Sequence, residues 1–185
     1  ENNFNVKQLK KLGKKIINTC YIYDDKLITG SIERIKDINI IPSPYLTGAL
    51  DQCFQLPLIP MIETTRGCPF TCTFCADGLG IKSKINKYES QRTREELQLI
   101  AKNINKVDEL IVTDLNFGMY KQDMETAKEI ANIQKNYNYP ISVDAPAGKN
   151  MPKRIINIAS IMKGWSMGGA IQSSDPDVLK AIKRS

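Results

Sequence analysis

The chain has 185 residues, of which 42% are hydrophobic and 25% are charged, a composition typical of a globular protein and not of a disordered one. No apolar run approaches the length that spans a bilayer, so we expect no membrane association. Lys and Arg outnumber Asp and Glu by 26 to 20, and this net charge of +6 is too modest to indicate a nucleic-acid-binding protein.

The first 59 residues differ in pattern from the rest. Residues 6–15 predict a helix with a basic face, formed by Lys7, Lys10, Lys11, Lys14 and Lys15. Such a run could attract RNA or another anionic partner, but a solvated helix face is the commoner reason for it. A hairpin is predicted next, with strands at 16–23 and 26–29. Four of the nine prolines then fall between Pro42 and Pro60, which predicts an extended connector.

From Pro60 onward, strand and helix patterns alternate four times, which predicts an α/β fold with a parallel sheet. A Thr-x-x-Glu pair at Thr93 and Glu96 is typical of a helix start. The predicted strands are 61–64, 109–113, 141–144 and 166–172. The residues predicted to face inward from the first three helices are Leu97, Ile100, Ala101 and Ile104, then Ala127, Ile130 and Ala131, then Ile155, Ile158, Ala159 and Met162.

Four βα units amount to half of an eight-unit barrel, and such a half leaves sheet edges that complete folds cover or pair. Pro152 and Gly164 bracket the third helix. The fourth helix is capped by Asp175 and has no stop signal, so we expect it to continue to the last residue. We therefore interpret residues 60–185 as a truncated core and residues 1–59 as an appendage and linker. A finished four-stranded flavodoxin-like sheet is the less favoured alternative.

Three cysteines, Cys68, Cys72 and Cys75, lie within eight residues directly after the first predicted strand. This Cys-x3-Cys-x2-Cys spacing brings three thiolates into one small volume and supplies no fourth ligand. Iron–sulfur clusters are usually held by four cysteine thiolates, so a cluster with three would keep one iron open. Catalytic metal sites keep such an open position, whereas structural sites fill it.

A disulfide framework or a zinc site would fit this cysteine pattern less well. Disulfides are disfavoured because the chain has five cysteines, an odd number, and no secretory signal opens it. A zinc site could use Cys20 or Cys53 as its fourth ligand. Zinc sites favour paired Cys-x2-Cys units or histidines, however, and the chain has no His. The pattern therefore favours an iron–sulfur cluster.

Residues 63–75, Glu-Thr-Thr-Arg-Gly-Cys-Pro-Phe-Thr-Cys-Thr-Phe-Cys, resemble the signature of radical S-adenosylmethionine (SAM) enzymes. More narrowly, they are similar to those enzymes that follow a cobalamin-binding domain, and residues 41–48 resemble the linker that joins the two domains. The resemblance implies a partial (βα) barrel in which the three cysteines bind a 4Fe-4S cluster and SAM chelates the open iron. It also implies that the cluster cleaves SAM reductively to a 5′-deoxyadenosyl radical, with the cofactors carrying the chemistry.

The same resemblance implies roles for residues at the carboxyl ends of the strands, where ligands gather in such sheets. Phe74 would lie beside the SAM adenine. After the second strand the family often carries a Gly-Gly-Glu segment for the SAM amino group, and this chain instead has Thr-Asp-Leu-Asn-Phe at 113–117. Asp114 or Asn116 could take that role, while Asp114 could equally well only cap a turn.

Two further segments resemble the family. Lys149, in Gly-Lys-Asn after the third strand, would pair with the SAM carboxylate, although a solvent-facing lysine is a serious alternative. Gln172 and Ser173 resemble a Gln-Ser segment whose side chains bind the SAM ribose hydroxyls, since both can donate and accept. The alternative for this pair is an ordinary strand end that leads into the Asp175 cap.

These features predict a fragment of a cytoplasmic radical SAM enzyme, with cobalamin-dependent methyl transfer as the more specific expectation. Its cofactors would be a 4Fe-4S cluster, SAM and, in the full-length protein, cobalamin. Its partners would be a small-molecule substrate that the sequence does not identify and an electron donor such as flavodoxin or ferredoxin. A methylthiotransferase-like RNA modifier is an alternative, but Cys20 and Cys53 are too sparse to bind its second cluster. A non-catalytic zinc or iron–sulfur module is another.

Overall fold

The structure is a computed structural model that describes residue 8 and residues 11–184. The chain forms two compact units, one that ends at Lys36 and one that begins at Asp37. In the first unit, β1 (Cys20–Tyr23) pairs antiparallel with β2 (Lys26–Thr29). The predicted hairpin is therefore confirmed, with a shorter first strand. The predicted basic helix lies mostly outside the described residues.

The proline-rich segment lies near the start of the second unit, and it is not an extended connector. A short 3-10 helix, Ile38–Ile40, precedes it, and a second one, Asp51–Gln55, lies within it. Tyr45 and Phe54 from this segment are buried in the main hydrophobic core. The Tyr45 hydroxyl accepts a hydrogen bond from the Met61 amide at 3.0 Å and donates one to the Met61 carbonyl at 2.9 Å. Burial of these aromatic rings outweighs the extended preference of the prolines.

Three short strands lie near the start of the α/β unit. The first strand of the main sheet is β3 (Met61–Ile62). Directly after it, β4 (Thr65–Arg66) pairs antiparallel with β5 (Asn86–Lys87). This small pair, which the sequence patterns did not predict, closes the base of the segment 67–85. We call this segment the cysteine loop.

The main sheet is parallel, as predicted, and its four strands lie side by side in chain order. After β3 it contains β6 (Glu109–Val112), β7 (Ser142–Pro146) and β8 (Trp165–Gly168). Each strand pairs in parallel with the next. The carboxyl ends of all four strands therefore face the same edge of the sheet, and the cysteine loop follows the end of β3.

Four helices alternate with these strands: α1 (Ser90–Asn103), α2 (Lys121–Tyr137), α3 (Pro152–Ile161) and α4 (Pro176–Ala181). Helix α1 begins at Ser90, so the predicted start at Thr93 is wrong. Glu96 forms an ion pair with Arg92 at 2.9 Å within the helix and does not cap it. Helix α4 ends at Ala181, so the prediction that it continues to the last residue is also wrong. Lys183 just beyond it has a φ of 52°.

The core lies between the sheet and the helices. The predicted inward faces of α1 and α2 are confirmed by buried Leu97, Ile100 and Ile130, whereas Ala159 of α3 is exposed. The ring of Phe117, beyond the end of β6, and the ring of Trp165, at the start of β8, pack edge to face with centroids 5.5 Å apart. In the part of the chain that the structure describes, no helix has both the length and the apolar character to cross a membrane.

Candidate functional site

The cysteine loop is tied down at both ends. Besides the β4–β5 pair, the Cys68 amide donates to the Lys82 carbonyl at 3.0 Å. Within the loop, Lys82 forms an ion pair with Asp77 at 2.8 Å. Gly67 has a φ of 109°, a conformation that L side chains rarely adopt, and it lets the chain turn directly into Cys68. The start of the loop is thus held in place by its own backbone.

All three motif cysteines are free thiols, with Cys68 and Cys72 buried and Cys75 half-buried. Within the described residues, no three Cys, His, Asp or Glu side chains are grouped as ligands of a single metal ion. A four-iron cluster differs from such a site because each thiolate binds a different iron. The donor set, three thiols on one loop and no fourth ligand among them, fits a cluster with one open iron.

Asp114 follows β6 and anchors the chain that leads into the cysteine loop. It is 1% exposed. Its Oδ1 accepts hydrogen bonds from the Thr64 amide at 2.7 Å and the Thr65 amide at 3.0 Å, and its Oδ2 accepts one from the Thr64 hydroxyl. Burial raises the pKa of Asp114 above its usual range, although these hydrogen bonds act to lower it. Asp114 thus satisfies the backbone of the neighbouring strand end, which is the local role that the sequence left open.

Asn116 is the polar residue that contacts Cys68. It is 3% exposed, and its Nδ2 lies 3.4 Å from the Cys68 sulfur. Its Oδ1 is buried and has no hydrogen-bond partner among the residues that the structure describes. A buried acceptor without a partner costs free energy, so it is a natural position for a ligand's donor group. The predicted residue Asn116 therefore contacts Cys68 and keeps one acceptor, Oδ1, unused.

Lys149 follows β7 and contacts Cys72. Its Nζ lies 3.0 Å from the Cys72 sulfur and 4.5 Å from the centroid of the Phe70 ring. The hydrogen bond from Lys149 lowers the pKa of the Cys72 thiol, although burial acts in the opposite direction. Lys149 as a whole is half-buried. Its ammonium group is therefore held at the cysteine loop by its contacts with Cys72 and Phe70.

The loops after β6 and β7 are joined by parallel pairing that continues past the strands. Phe117 bridges to Ala147, and the Gly148 amide donates to the Phe117 carbonyl at 2.8 Å. A Cβ on Gly148 would lie 2.8 Å from the Met119 Cβ and 3.1 Å from the Asn116 carbonyl oxygen. The absence of a side chain at residue 148 lets the two loops approach closely. Asn116 and Lys149 are thereby brought to the same cysteine loop.

The remaining predicted residues lie nearer to the surface. Phe74 is 52% exposed. Gln172 is exposed and has a φ of 73°, four residues beyond the end of β8. Ser173 is half-buried, and its hydroxyl accepts a hydrogen bond from the Asp175 amide at 3.1 Å. The Thr73 amide of the cysteine loop donates to the Ile182 carbonyl at 3.2 Å, which ties the loop to the end of α4.

The sequence patterns did not single out the ionisable pair at the start of α2. Asp123 caps the helix, its Oδ2 accepting a hydrogen bond from the Tyr120 amide at 2.8 Å. Burial raises the pKa of Asp123 to about 6. Burial, and to a lesser extent the charge of Cys68, raises the pKa of Tyr120 to about 12. The signal in the sequence was the acidic residue three positions after the residue that precedes the helix, a spacing typical of N-terminal capping.

Comparison with known proteins yields a consistent group of relatives. The family profile described as the radical SAM superfamily matches residues 62–185. Two curated proteins are each 34% identical to the chain. One is the cobalamin-dependent radical SAM methyltransferase TokK of Streptomyces tokunonensis, over 82% of this chain and 24% of its own length. The other is the 2-(S-pantetheinyl)-carbapenam-3-carboxylate methyltransferase of Streptantibioticus cattleyicolor, over 77% of this chain and 22% of its own length.

Solved structures agree on the fold. The cobalamin-dependent S-adenosylmethionine radical enzyme OxsB, solved with aqua-cobalamin and S-adenosylmethionine bound, superimposes with a TM-score of 0.63 at 18% identity. The superposition covers 96% of this chain and 27% of OxsB. A structure of OxsB with aqua-cobalamin alone gives the same values. The chain thus spans about a quarter of the length of the relatives that it matches.

Proposed function

This chain belongs to the radical SAM superfamily, and on that premise we propose that it binds a 4Fe-4S cluster through Cys68, Cys72 and Cys75 and SAM at the open iron. The observation that carries the proposal is the position of the three thiols on one tethered loop at the carboxyl edge of the parallel sheet. There the Cys68 and Cys72 sulfurs contact side chains from the two neighbouring strand ends. When bound, the cluster supplies the electron that cleaves SAM.

Within this proposal, the chain's own side chains bind and orient SAM. The unused Oδ1 of Asn116 accepts a hydrogen bond from the SAM ammonium, which supplies the donor that this buried oxygen lacks. Phe74, half of whose surface is free, stacks against the adenine. Gln172 and Ser173 bind the ribose hydroxyls, and Lys149 contributes positive charge toward the carboxylate. Asp114 holds the start of the cysteine loop, since both of its oxygens already accept hydrogen bonds.

We extend the proposal to the whole protein as cobalamin-dependent methyl transfer. Two relatives at 34% identity are methyltransferases by name, and one of them is named as cobalamin-dependent. The one from Streptantibioticus cattleyicolor is named for a pantetheinyl carbapenam carboxylate, so a substrate of that size and polarity is the first to test. The electron would come from a low-potential donor such as flavodoxin or ferredoxin. An oxygen-sensitive cluster favours a cytoplasmic location.

Anaerobic reconstitution of the chain with iron and sulfide tests the cluster. We expect about four irons per chain and a brown chromophore. Alanine replacement of Cys68, Cys72 or Cys75 should abolish or strongly reduce iron uptake. Cys53→Ala is the matched control, because Cys53 is a free, half-buried cysteine outside the motif and should leave the iron content unchanged.

A second readout separates SAM binding at the cluster from cluster binding alone. Adding SAM to the reduced, reconstituted chain should change its electron paramagnetic resonance spectrum, because SAM becomes a ligand of one iron. Zinc bound at one per chain with no iron uptake would overturn the proposal and support a metal-binding module. An unchanged spectrum at saturating SAM, with four irons present, would contradict the SAM site while leaving the cluster in place.

A further inference from the structure

We propose that Asn116 and Lys149 are positioning residues that raise the reduction potential of the cluster by donating hydrogen bonds to the sulfurs of Cys68 and Cys72. The inference rests on the proposed function, since it assumes that these thiolates hold the cluster. It adds a role that is separate from SAM binding. The two donors come from two different strand ends, and each contacts a different cysteine.

The Cys68 sulfur determines which end of the Asn116 side-chain amide faces it. A cluster-bound thiolate carries no proton and can only accept a hydrogen bond, so the amide nitrogen of Asn116 must face Cys68. This is the orientation in the structure, with Nδ2 3.4 Å from the sulfur. The residue is 3% exposed, and water therefore does not compete for the contact. Its backbone is held by the Met119 amide, which donates to the Asn116 carbonyl at 3.2 Å.

The contact between Lys149 and Cys72 is shorter than the contact between Asn116 and Cys68, and its donor is a charged ammonium group. The Nζ–Sγ distance to Cys72 is 3.0 Å, and the centroid of the Phe70 ring lies 4.5 Å from the same ammonium group. A cation held over an aromatic face gains electrostatic stabilisation and loses freedom to move. Gly148 immediately before it keeps this loop against the loop of Asn116. The ammonium is thus directed toward the sulfur by its surroundings.

The effect on the potential follows from charge. Reduction adds one electron from an external low-potential donor and breaks no bond, so the cluster and its thiolates gain one negative charge. Hydrogen bonds to the sulfurs become stronger as their negative charge grows, and they therefore stabilise the reduced state. The contribution of Lys149 should exceed that of Asn116, because a formal positive charge in a partly dehydrated site interacts more strongly than an amide dipole.

The test is a redox titration of the reconstituted chain without SAM, followed by electron paramagnetic resonance. Asn116→Ala and Lys149→Met should each lower the midpoint potential, with the larger shift for Lys149→Met. Lys149→Arg, which keeps a charged donor, should restore most of the wild-type value. Asn150→Ala and Lys153→Met are matched controls on exposed neighbours and should leave the midpoint unchanged. Asn116→Asp, which keeps the size of the side chain, should lower the midpoint further by placing a carboxylate against the sulfur.

Iron and sulfide analysis of every variant keeps the outcomes apart. A wild-type chain that takes up no cluster defeats the proposed function itself. Intact clusters with wild-type midpoints in both Asn116→Ala and Lys149→Met overturn this inference alone. A Lys149→Met variant that weakens SAM binding at an unchanged midpoint also overturns it, because the lysine would then act only on the SAM carboxylate.

Discussion

The Thr64 amide donates a 2.7 Å hydrogen bond to the Asp114 carboxylate, joining the ends of the neighbouring strands β3 and β6 in a fully buried position. The same carboxylate oxygen accepts the Thr65 amide at 3.0 Å. Thr64 lies between β3 and β4, and Thr65 is the first residue of β4. Asp114 therefore fixes the backbone at the point where the chain leaves the main sheet for the three cysteines.

Replacing Asp114 with alanine should destabilise the chain strongly. It leaves two buried amides and one hydroxyl without acceptors, and each such group costs about 1–3 kcal/mol. Asp114→Asn keeps one oxygen for the amides, and the Thr64 hydroxyl can rotate to accept from the new amide group. We expect the free energy of unfolding in urea to fall by roughly 3–5 kcal/mol for alanine and by about 1 kcal/mol for asparagine. Equal losses in the two variants would contradict the role assigned to the carboxylate.

Asp123 should make stability depend on pH. Burial raises its pKa from 3.8 to about 6 in the folded chain, so the folded state holds the proton more tightly than the unfolded state. The stabilisation is complete below pH 3.8 and is lost as the pH rises through about 6. The difference between the two pKa values corresponds to about 3 kcal/mol.

The Asp123→Asn variant isolates this effect. Its side chain keeps an acceptor for the Tyr120 amide but does not titrate. We therefore expect wild type to lose up to about 3 kcal/mol relative to Asp123→Asn between pH 4 and pH 7, measured by urea unfolding at each pH. Parallel stability curves for the two proteins across this range would show that Asp123 ionises normally.

Residue 148 should not tolerate a side chain, whereas residue 168 should tolerate one. A Cβ at residue 148 would come within 2.8 Å of the Met119 Cβ, and a Cβ at residue 168 would meet nothing within 4 Å. Gly148→Ala should lower the free energy of unfolding by about 1–3 kcal/mol, the usual cost of overpacking. Gly168→Ala should change it by less than about 0.5 kcal/mol. Thermal unfolding by circular dichroism compares the two, and a similar loss in both would refute the close approach of the loops.

Phe74 should affect SAM binding and not stability. Because half of its ring is exposed, Phe74→Ala should change the free energy of unfolding by less than about 0.5 kcal/mol. Loss of a stacking partner for adenine should weaken SAM binding about tenfold in the reconstituted chain, measured by equilibrium dialysis under anaerobic conditions. Leu79→Ala, at an equally exposed position of the same loop, is the control and should bind SAM as wild type does.

Much of the fold could be predicted because periodic patterns report local burial. The alternation of strands and helices after Pro60, the hairpin, and the buried faces of α1 and α2 all follow from the spacing of apolar residues, and the structure confirms them. The start of α1 was missed because Thr93, which looks like a cap, is buried inside the helix. The end of α4 was missed because Lys183, just beyond it, adopts a left-handed conformation, and there is no glycine at this position to indicate a helix end.

The family and the chemistry proposed for it could be predicted from sequence alone, because three cysteines at fixed spacing are a local property of one loop. The polar side chains that reach the sulfurs of these cysteines depend instead on how distant segments fold together. Asn116 and Lys149 are 48 and 77 residues away from the cysteines that they contact. Their placement depends on parallel strand register and on the contact between loops at Gly148, and both arise from packing between segments that are distant in the chain.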